Sequence, residues 1–587
     1  MTTVNSEPAP TPAPAPAPDP PPSPQQQPAQ AQATSNDRQV VEVIDRADDD
    51  KFRHDWRVLG IFAVLVLLSF LSALDASIIT TSLPTITREI GGGGQYVWVA
   101  NAYLFASTVP QPFYGQLADV VGRRDPFFAS LALFLLGSGL AGGARDAATL
   151  IGARVVQGLG SAGLYVLPEI IMCDLVPPRR RGPYLSALLS TAAVGTTVGP
   201  IVGGALAQAG WRWIFWINLP VVGVGAVAMV FLFRVRYRGR RTWRAVLARL
   251  DLVGNAIFVP SVLAIFFGLI MGGNRSAGFP WDSWRIILPL VLGILGWIGF
   301  HVYEASPFCR EPSMPPRLFK HRTSSVGYLM IFLIATFSQA ISFFLPVYFQ
   351  AVKGATPLMS GIDYLPFTIA LLILAGSAAG FLTKTGRYRP VHWVGWALSA
   401  VGAGLFSMLD EKSSTGAWIG FQIVAAGGVG FIFTVSLPST LAALDESDVA
   451  VATGTYAFLR TFGFVWGVTM SSIAFNGQVN THLNSITDPS VRELLADGAA
   501  YAYASGAGGD SGRIGDLPEP SKSQVIHVYV LAMRVVWLIF VGVSAIGFFS
   551  TFVERHIELR KEHATEFGLA DRESPAGEAA DAEKRSP

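Results

Sequence analysis

"GQLADVVGRRDPFF", residues 115–128, sets Asp119 and the adjacent pair Arg123 and Arg124 between two stretches almost free of charge. A charged turn flanked on both sides by long apolar runs is the signature of a chain that crosses a bilayer and returns. Composition agrees, because 587 residues that are 51% hydrophobic and only 14% charged are too apolar for an ordinary soluble domain. The net charge of +2 comes from 43 basic and 41 acidic residues, the basic ones in short separated loops, so no nucleic-acid partner is expected. Cys173 and Cys309, the two cysteines, fall at expected cytoplasmic positions and should stay reduced. Two thiols cannot complete a four-ligand metal site, and neither metal nor cofactor is expected.

Working outward from that turn, a helix needs about 20 apolar residues to cross roughly 30 Å of hydrocarbon. About fourteen windows between residues 58 and 552 meet that requirement, including 97–117 and 391–409. The expected fold class is therefore an all-α polytopic membrane protein with fourteen transmembrane helices. Residues 1–55, rich in Pro and Ala and ending in "DRADDD", lack the aliphatic side chains of a core and read as a disordered tail. Residues 556–587 are polar again and read as a short helix fraying into disorder.

Cations set the orientation. The even-numbered turns carry "GRR", "PPRRRG", "RVRYRGRRTWRAVLAR", "CREPSMPPRLFKHR" and "TKTGRYR", which places both termini on the cytoplasmic side. The acidic turn "LDESDVA" is the exception. The sequon Asn274-Arg275-Ser276 lies in an expected outer loop and is a candidate glycosylation site. The polar segment 476–525 reads as an external loop, flexible at "SGAGGDSG".

The polar residues inside the spans decide what such a protein does. No Gly-Lys dipeptide occurs, so a phosphate loop and ATP drive are excluded; no His-Glu-x-x-His occurs, which argues against a zinc protease. A secondary transporter, not an enzyme, is the expected class. "GFLTKTGRYR" at 380–389 weakly echoes "GQLADVVGRR" at 115–124, as in transporters built from two bundles.

"GQLADVVGRR" resembles the loop between the second and third spans of the major facilitator superfamily. Four more stretches resemble its fourteen-span drug:proton antiporter family: "LDASIITTSLP" at 74–84, "RVVQGLGSAG" at 154–163, "GTTVGPIVGGAL" at 195–206 and "WRWIFWINLP" at 211–220. The resemblance covers roughly residues 55–555 and implies two six-helix bundles, 56–233 and 326–555. A basic loop and two additional spans, 234–325, lie between them. It implies a proton-coupled efflux pump for drugs, toxins or secondary metabolites, of the multidrug-resistance type, with a small amphipathic substrate and protons as partners. A monomer in the cell membrane is expected, the vacuolar membrane being the alternative. Siderophore-iron or basic amino acid transport, and a non-transporting membrane sensor, remain open readings.

Each motif also has a physical reading. Asp75 late in the first span and Arg154 early in the fourth lie at similar depth, so they can pair; a carboxylate beside a movable guanidinium can bind and release a proton. The resemblance assigns both to proton coupling; Gln157, one turn from Arg154, is a polar neighbour expected to orient it. Gly195, Gly199 and Gly203 form one bare helix face beside Pro200, a site for close helix contact, and Gly204 completes the family's antiport motif. Gly115, Asp119, Gly122, Arg123 and Arg124 form an expected inner gate. Asp119 would face the start of the thirteenth span near Ala450, and the acids of "LDESD" would meet the arginines. Asp174 should cluster with "RRRG" at 179–182, and Asp363 should start a helix. Glu169 and Arg460 are candidate substrate or gate residues, Arg460 with no acidic partner assigned. The cavity is expected to be rich in Phe, Tyr and Trp.

Overall fold

The computed structural model describes residues 56–90, 96–233, 243–272, 279–496, 498–504 and 514–559. The candidate glycosylation site Asn274, the glycine-rich 505–512 and the tails 1–55 and 560–587 lie outside the described residues.

Helices account for the described regular structure. In chain order they are α1 (Trp56–Ile90), α2 (Tyr96–Thr108), α3 (Gln111–Val121), α4 (Arg124–Gly142), α5 (Ala147–Leu175), α6 (Arg181–Gly210), α7 (Trp213–Trp216), α8 (Asn218–Leu232), α9 (Trp243–Arg249) and α10 (Leu252–Met271). They continue with α11 (Trp284–Glu304), α12 (Arg322–Ala351), α13 (Pro357–Thr385), α14 (Arg389–Phe406), α15 (Thr415–Leu441), α16 (Val449–His482), α17 (Pro489–Leu495), α18 (Ala500–Ala504) and α19 (Ser521–Ser550).

Among the described residues, twelve helices are long and apolar enough to cross a membrane. The two other expected windows are helical but fall outside that set. Window 97–117 is divided into α2 and α3 because Pro110 at the junction has no N–H to donate. Window 391–409 is α14, of 18 residues, with Arg389 and His392 in its first turn.

Local chemistry starts several helices. The Asp146 carboxylate accepts the Thr149 N–H at 2.8 Å to open α5, and the Thr356 hydroxyl accepts that of Met359 at 3.2 Å before Pro357 in α13. Asp363 does not start a helix; it lies two turns into α13, and its carbonyl accepts from Gln422 Nε2 at 3.0 Å. The segment 476–525 is more ordered than expected: α16 runs on to His482, and α17 and α18 follow. Residues 556–559 are not helical. Here the chain packs back on the helices, with Leu559 buried against Leu382, Tyr388 and Val391, and the Arg555 carbonyl accepting from Tyr388 at 2.8 Å.

Paired helices build the body: α1 lies along α6, α4 along α5, α12 along α16, α14 along α15, and α10 along α11. A phenylalanine cluster fastens α10 and α11 to α2 and α16, joining Phe105, Phe258, Phe266, Phe300, Phe458 and Phe462. At the other end of α1 from Trp56, Glu89 accepts from Trp211 Nε1 at 2.7 Å and pairs with Arg212. The Arg212 guanidinium, then Trp211, hold the Glu89 carboxyl below its ordinary value, so the clasp contributes fully above that value and its contribution is lost as pH falls from there through the lowered one.

At the end that carries Arg123, the helices close on one another. α3 meets α16 so tightly that a Cβ on Gly115 would stand 2.8 Å from the Ala450 carbonyl and 3.1 Å from Gly454 Cα. Gln111 Nε2 donates to Thr461 Oγ1 at 3.2 Å one step deeper. α6 meets α13 alongside, with Gly182 facing Leu382 and Ala379. Any side chain at position 115 must push α3 from α16, so Gly115→Val should open this seal. In vesicles of a Cys173→Ser/Cys309→Ser background, a Ser107→Cys probe should then react several-fold faster with an impermeant thiol reagent supplied on the Arg123 side. An unchanged rate would mean that the seal does not depend on this contact.

Candidate functional site

A cavity of about 2470 Å³ lies between the helices on the far side of that seal. Toward the Arg123 end its lining reaches Glu169, Ser186 and Arg460, and its walls extend to Gly272, Gln350, Thr356 and Asn480 near the helix ends remote from Arg123. Phe and Tyr side chains such as Tyr165, Phe343, Tyr364 and Phe433 alternate with Ser, Thr and Asn, and Trp281 stands near the rim. Among the described lining residues, Glu169 and Arg460 are the charged ones.

One layer behind the wall, α1, α4, α5 and α8 converge on Asp75, fully buried. Arg154 Nη1 donates to Asp75 Oδ2 at 2.6 Å and to Gln157 Oε1 at 2.7 Å. The second carboxylate oxygen accepts from Gln157 Nε2 at 2.9 Å and from Asn218 Nδ2 at 2.7 Å. Gln157 also donates to Ser138 Oγ at 2.9 Å, and Arg154 Nε to the Val99 carbonyl at 3.3 Å. The guanidinium lies 4.0 Å from the centroid of the Tyr103 ring, whose edge lines the cavity. The expected grouping of Asp75, Arg154 and Gln157 is thus formed. Asn218, Ser138 and Tyr103 were not foreseen; the one available signal was Asn218, a lone amide in the apolar run "WIFWINLP".

Gln157, Ser161, Tyr165 and Glu169 recur every four residues, which puts them on one face of α5. Tyr103 OH and Ser161 Oγ are 2.7 Å apart, and Tyr103 donates to the Ser72 carbonyl at 3.2 Å. This polar stripe runs from the Asp75 cluster to the cavity lining. There Arg460 of α16 has the partner that the sequence left unassigned: Nη1 is 2.6 Å from Glu169 Oε1, both side chains at most 5% exposed. Glu169 Oε2 is buried with no hydrogen-bond partner.

The expected inner gate is arranged differently. Gly115, not Asp119, makes the contact with Ala450. Asp119 is one-third exposed and 3.6 Å from Arg123, one turn along its own chain segment. Arg123 Nε donates to Asp174 Oδ2 at 2.6 Å and Nη1 to the Ala118 carbonyl at 2.9 Å, because Gly122 at φ 104° turns the chain back on the end of α3. Arg124 is exposed, 5.9 Å from the Phe128 ring centroid. The "LDESD" acid Asp448 is held by Arg317, at 2.8 Å, rather than by either arginine of the turn. Gln116 was missed altogether. Its Nε2 donates to the Glu311 carbonyl at 2.6 Å and its Oε1 accepts from Ser313 at 3.1 Å and from the Asp251 N–H at 3.2 Å, tying α3 to the loops around α10 and α11.

In α6 a Cβ on Gly195 would meet the Phe70 carbonyl at 2.5 Å and one on Gly199 the Leu74 carbonyl at 3.0 Å, so the bare face lies on α1 just beside Asp75. Gly204 and Pro200 line the cavity instead. Cys173 and Cys309 are both free thiols, and burial pushes the Cys309 thiol up to about 12.

A buried ion pair that loses one partner is destabilised by roughly 3–5 kcal/mol, whereas removing both charges is far less costly. Asp75→Asn should therefore lower the thermal unfolding midpoint of detergent-purified protein clearly, and Asp75→Asn/Arg154→Gln should recover most of the loss. Equal losses in the two variants would show that the charges are not coupled.

Residues 65–468 match the Major Facilitator Superfamily. The MFS efflux transporter aclA of Aspergillus oryzae is 45% identical over 523 residues, 89% of this chain and 93% of that one. The acurin A biosynthesis cluster MFS-type transporter of Aspergillus aculeatus is 40% identical over 516 residues, 87% and 91% of the two chains. Among solved structures, the human organic anion transporter MFSD10 superposes with a TM-score of 0.52 at 14% identity, over 84% of this chain and 99% of that one, a likeness of fold. With a family match over most of its length and relatives of this identity, the chain belongs to the Major Facilitator Superfamily of multi-pass membrane transporters.

Proposed function

We propose that this protein exports small amphipathic organic compounds, secondary metabolites or toxins, by alternating access in exchange for protons. The observation that carries the reading is a large cavity closed at one end by α3 against α16 and open at the other, with a buried carboxylate–guanidinium cluster behind its wall. Relatives of 45% and 40% identity are named an efflux transporter and a biosynthesis-cluster transporter, which supports export.

In this reading α2–α3 and α14 are spans additional to the twelve, making fourteen. Two six-helix bundles flank α10 and α11, both termini are cytoplasmic, and the protein acts as a monomer in the cell membrane. The Arg123 end is then the cytoplasmic end and the cavity faces outward. Asp75 takes a proton from that side when Arg154 turns away from it; Gln157 and Asn218 continue to hold the protonated carboxyl by hydrogen bonds, while the Tyr103 ring and the Val99 carbonyl remain beside the guanidinium. The Gly195/Gly199 face lets α6 slide against α1 next to the proton site, which couples protonation to helix movement. Basic amino acid transport is less well supported, because the described lining residues carry no surplus of acids.

Transport in inverted vesicles under an imposed pH gradient, acid inside, tests the coupling. Accumulation of an amphipathic dye should rise with the gradient, collapse on adding a protonophore and lose its gradient dependence in Asp75→Asn. Flux indifferent to the gradient would overturn proton exchange while leaving facilitated export intact.

A further inference from the structure

Taking the cavity as the transport route, we propose that Arg460 is the anchor for an anionic group on the transported compound, a carboxylate or an acidic enol or phenol oxygen. Glu169 is the placeholder that yields to it by taking up a proton. The pair joins α5 to α16 in the cavity lining, at 2.6 Å, and no other charged side chain among the described lining residues competes for a ligand.

The choice of an anion follows from an asymmetry between the two partners. A ligand cation that took Glu169 would strand the guanidinium in a poorly hydrated site, and arginine cannot shed its proton there. A ligand anion that takes Arg460 strands only a carboxylate, which a proton from cavity water makes neutral. The exchange balances: ligand anion, proton and the Glu169–Arg460 pair become the ligand–Arg460 pair and a neutral Glu169 carboxylic acid. No covalent bond other than the new O–H forms, and the site carries no net charge empty or loaded. Glu169 Oε2, buried without a hydrogen-bond partner, is the oxygen on which that proton can reside.

The other titratable groups facing the pair are Tyr165 and Cys173 on α5 and Tyr456 on α16, whose ring lies 5.9 Å from the Arg460 guanidinium. Phenols and thiols are neutral between pH 5.5 and 7.5; Asp75, which the proposed cycle also protonates, is paired with Arg154 farther along α5, and an Asp75→Asn/Arg154→Gln background separates its proton from that of Glu169. A proton taken up with an anionic ligand in that background, and lost in Glu169→Gln, is assigned to Glu169.

The probes are 1-pyrenebutanoate, its neutral amide and 1-pyrenebutylamine, titrated by fluorescence into the full-length protein in a neutral maltoside detergent, where no lipid headgroup supplies the anion. The carboxylate should bind roughly ten- to a hundredfold more tightly than the amide, the scale of a charge-assisted hydrogen bond. Its affinity should rise as pH falls from 7.5 to 5.5, by up to tenfold per unit. Glu169→Gln should tighten carboxylate binding and flatten that slope. Arg460→Gln should abolish the carboxylate preference while the amide still binds; Glu169→Gln/Arg460→Gln, which leaves no buried unpaired charge, provides the same readout if the single variant fails to fold. Tighter binding of the amine, no preference for the carboxylate over the amide, or a pH slope unchanged in Glu169→Gln would overturn the proposal while leaving the cavity reading intact. Binding of none of the three probes would overturn both.

Discussion

A charge held away from water must be matched by another, and the interior of this protein is organised around that requirement. Asp75 is matched by Arg154, Glu169 by Arg460 and Asp174 by Arg123, each through side chains almost fully buried. Every match fixes the rotation of two segments at once. The first sets α1 against α5 and the second α5 against α16, so α5 presents a polar stripe with an ion pair near each end. Apolar packing alone would leave such helices free to rotate, since lipid is as good a neighbour for leucine as another helix.

The second constraint is how closely backbones can approach. Between α3 and α16 the glycines 115 and 454 face one another, and between α1 and α6 the glycines 195 and 199 remove the side chains that would hold the helices apart. The first contact closes one end of the molecule; the second lies beside Asp75. Without side chains between them the backbones come into direct van der Waals contact, the closest packing that two helices can make in a membrane. The cavity then exists where such contacts are missing, at the opposite end, where α6 turns Pro200 and Gly204 to the open space.

The motif at 115–124 does more than hold a turn. Gly115 seals, Gln116 reaches Glu311, Ser313 and Asp251 to secure the loops around α10 and α11, and Arg123 crosses to Asp174. Asp119 contributes least to the closure in this state, one-third exposed and loosely paired with Arg123. Three residues of one short segment thus reach two helices and the loops around a third and fourth, which no periodicity of the segment itself announces.

Hydropathy and cations made the helical windows legible because the bilayer penalises every unpaired peptide group and every charge, and that penalty depends on local sequence alone. The grouping of Asp75, Arg154 and Gln157 was legible for a related reason: depth in the membrane follows from residue count along a span. Interruption at Pro110 was also written in the chain, although the window count passed over it. What the sequence could not determine is which helix faces which. The Glu169–Arg460 pair spans 291 positions, the reach of Gln116 to Glu311 spans 195, and Asp448 chose Arg317 over the arginines of the turn. Each of these depends on helix rotation and neighbour order, quantities set by the summed packing of the whole bundle, and only the tertiary structure decides them.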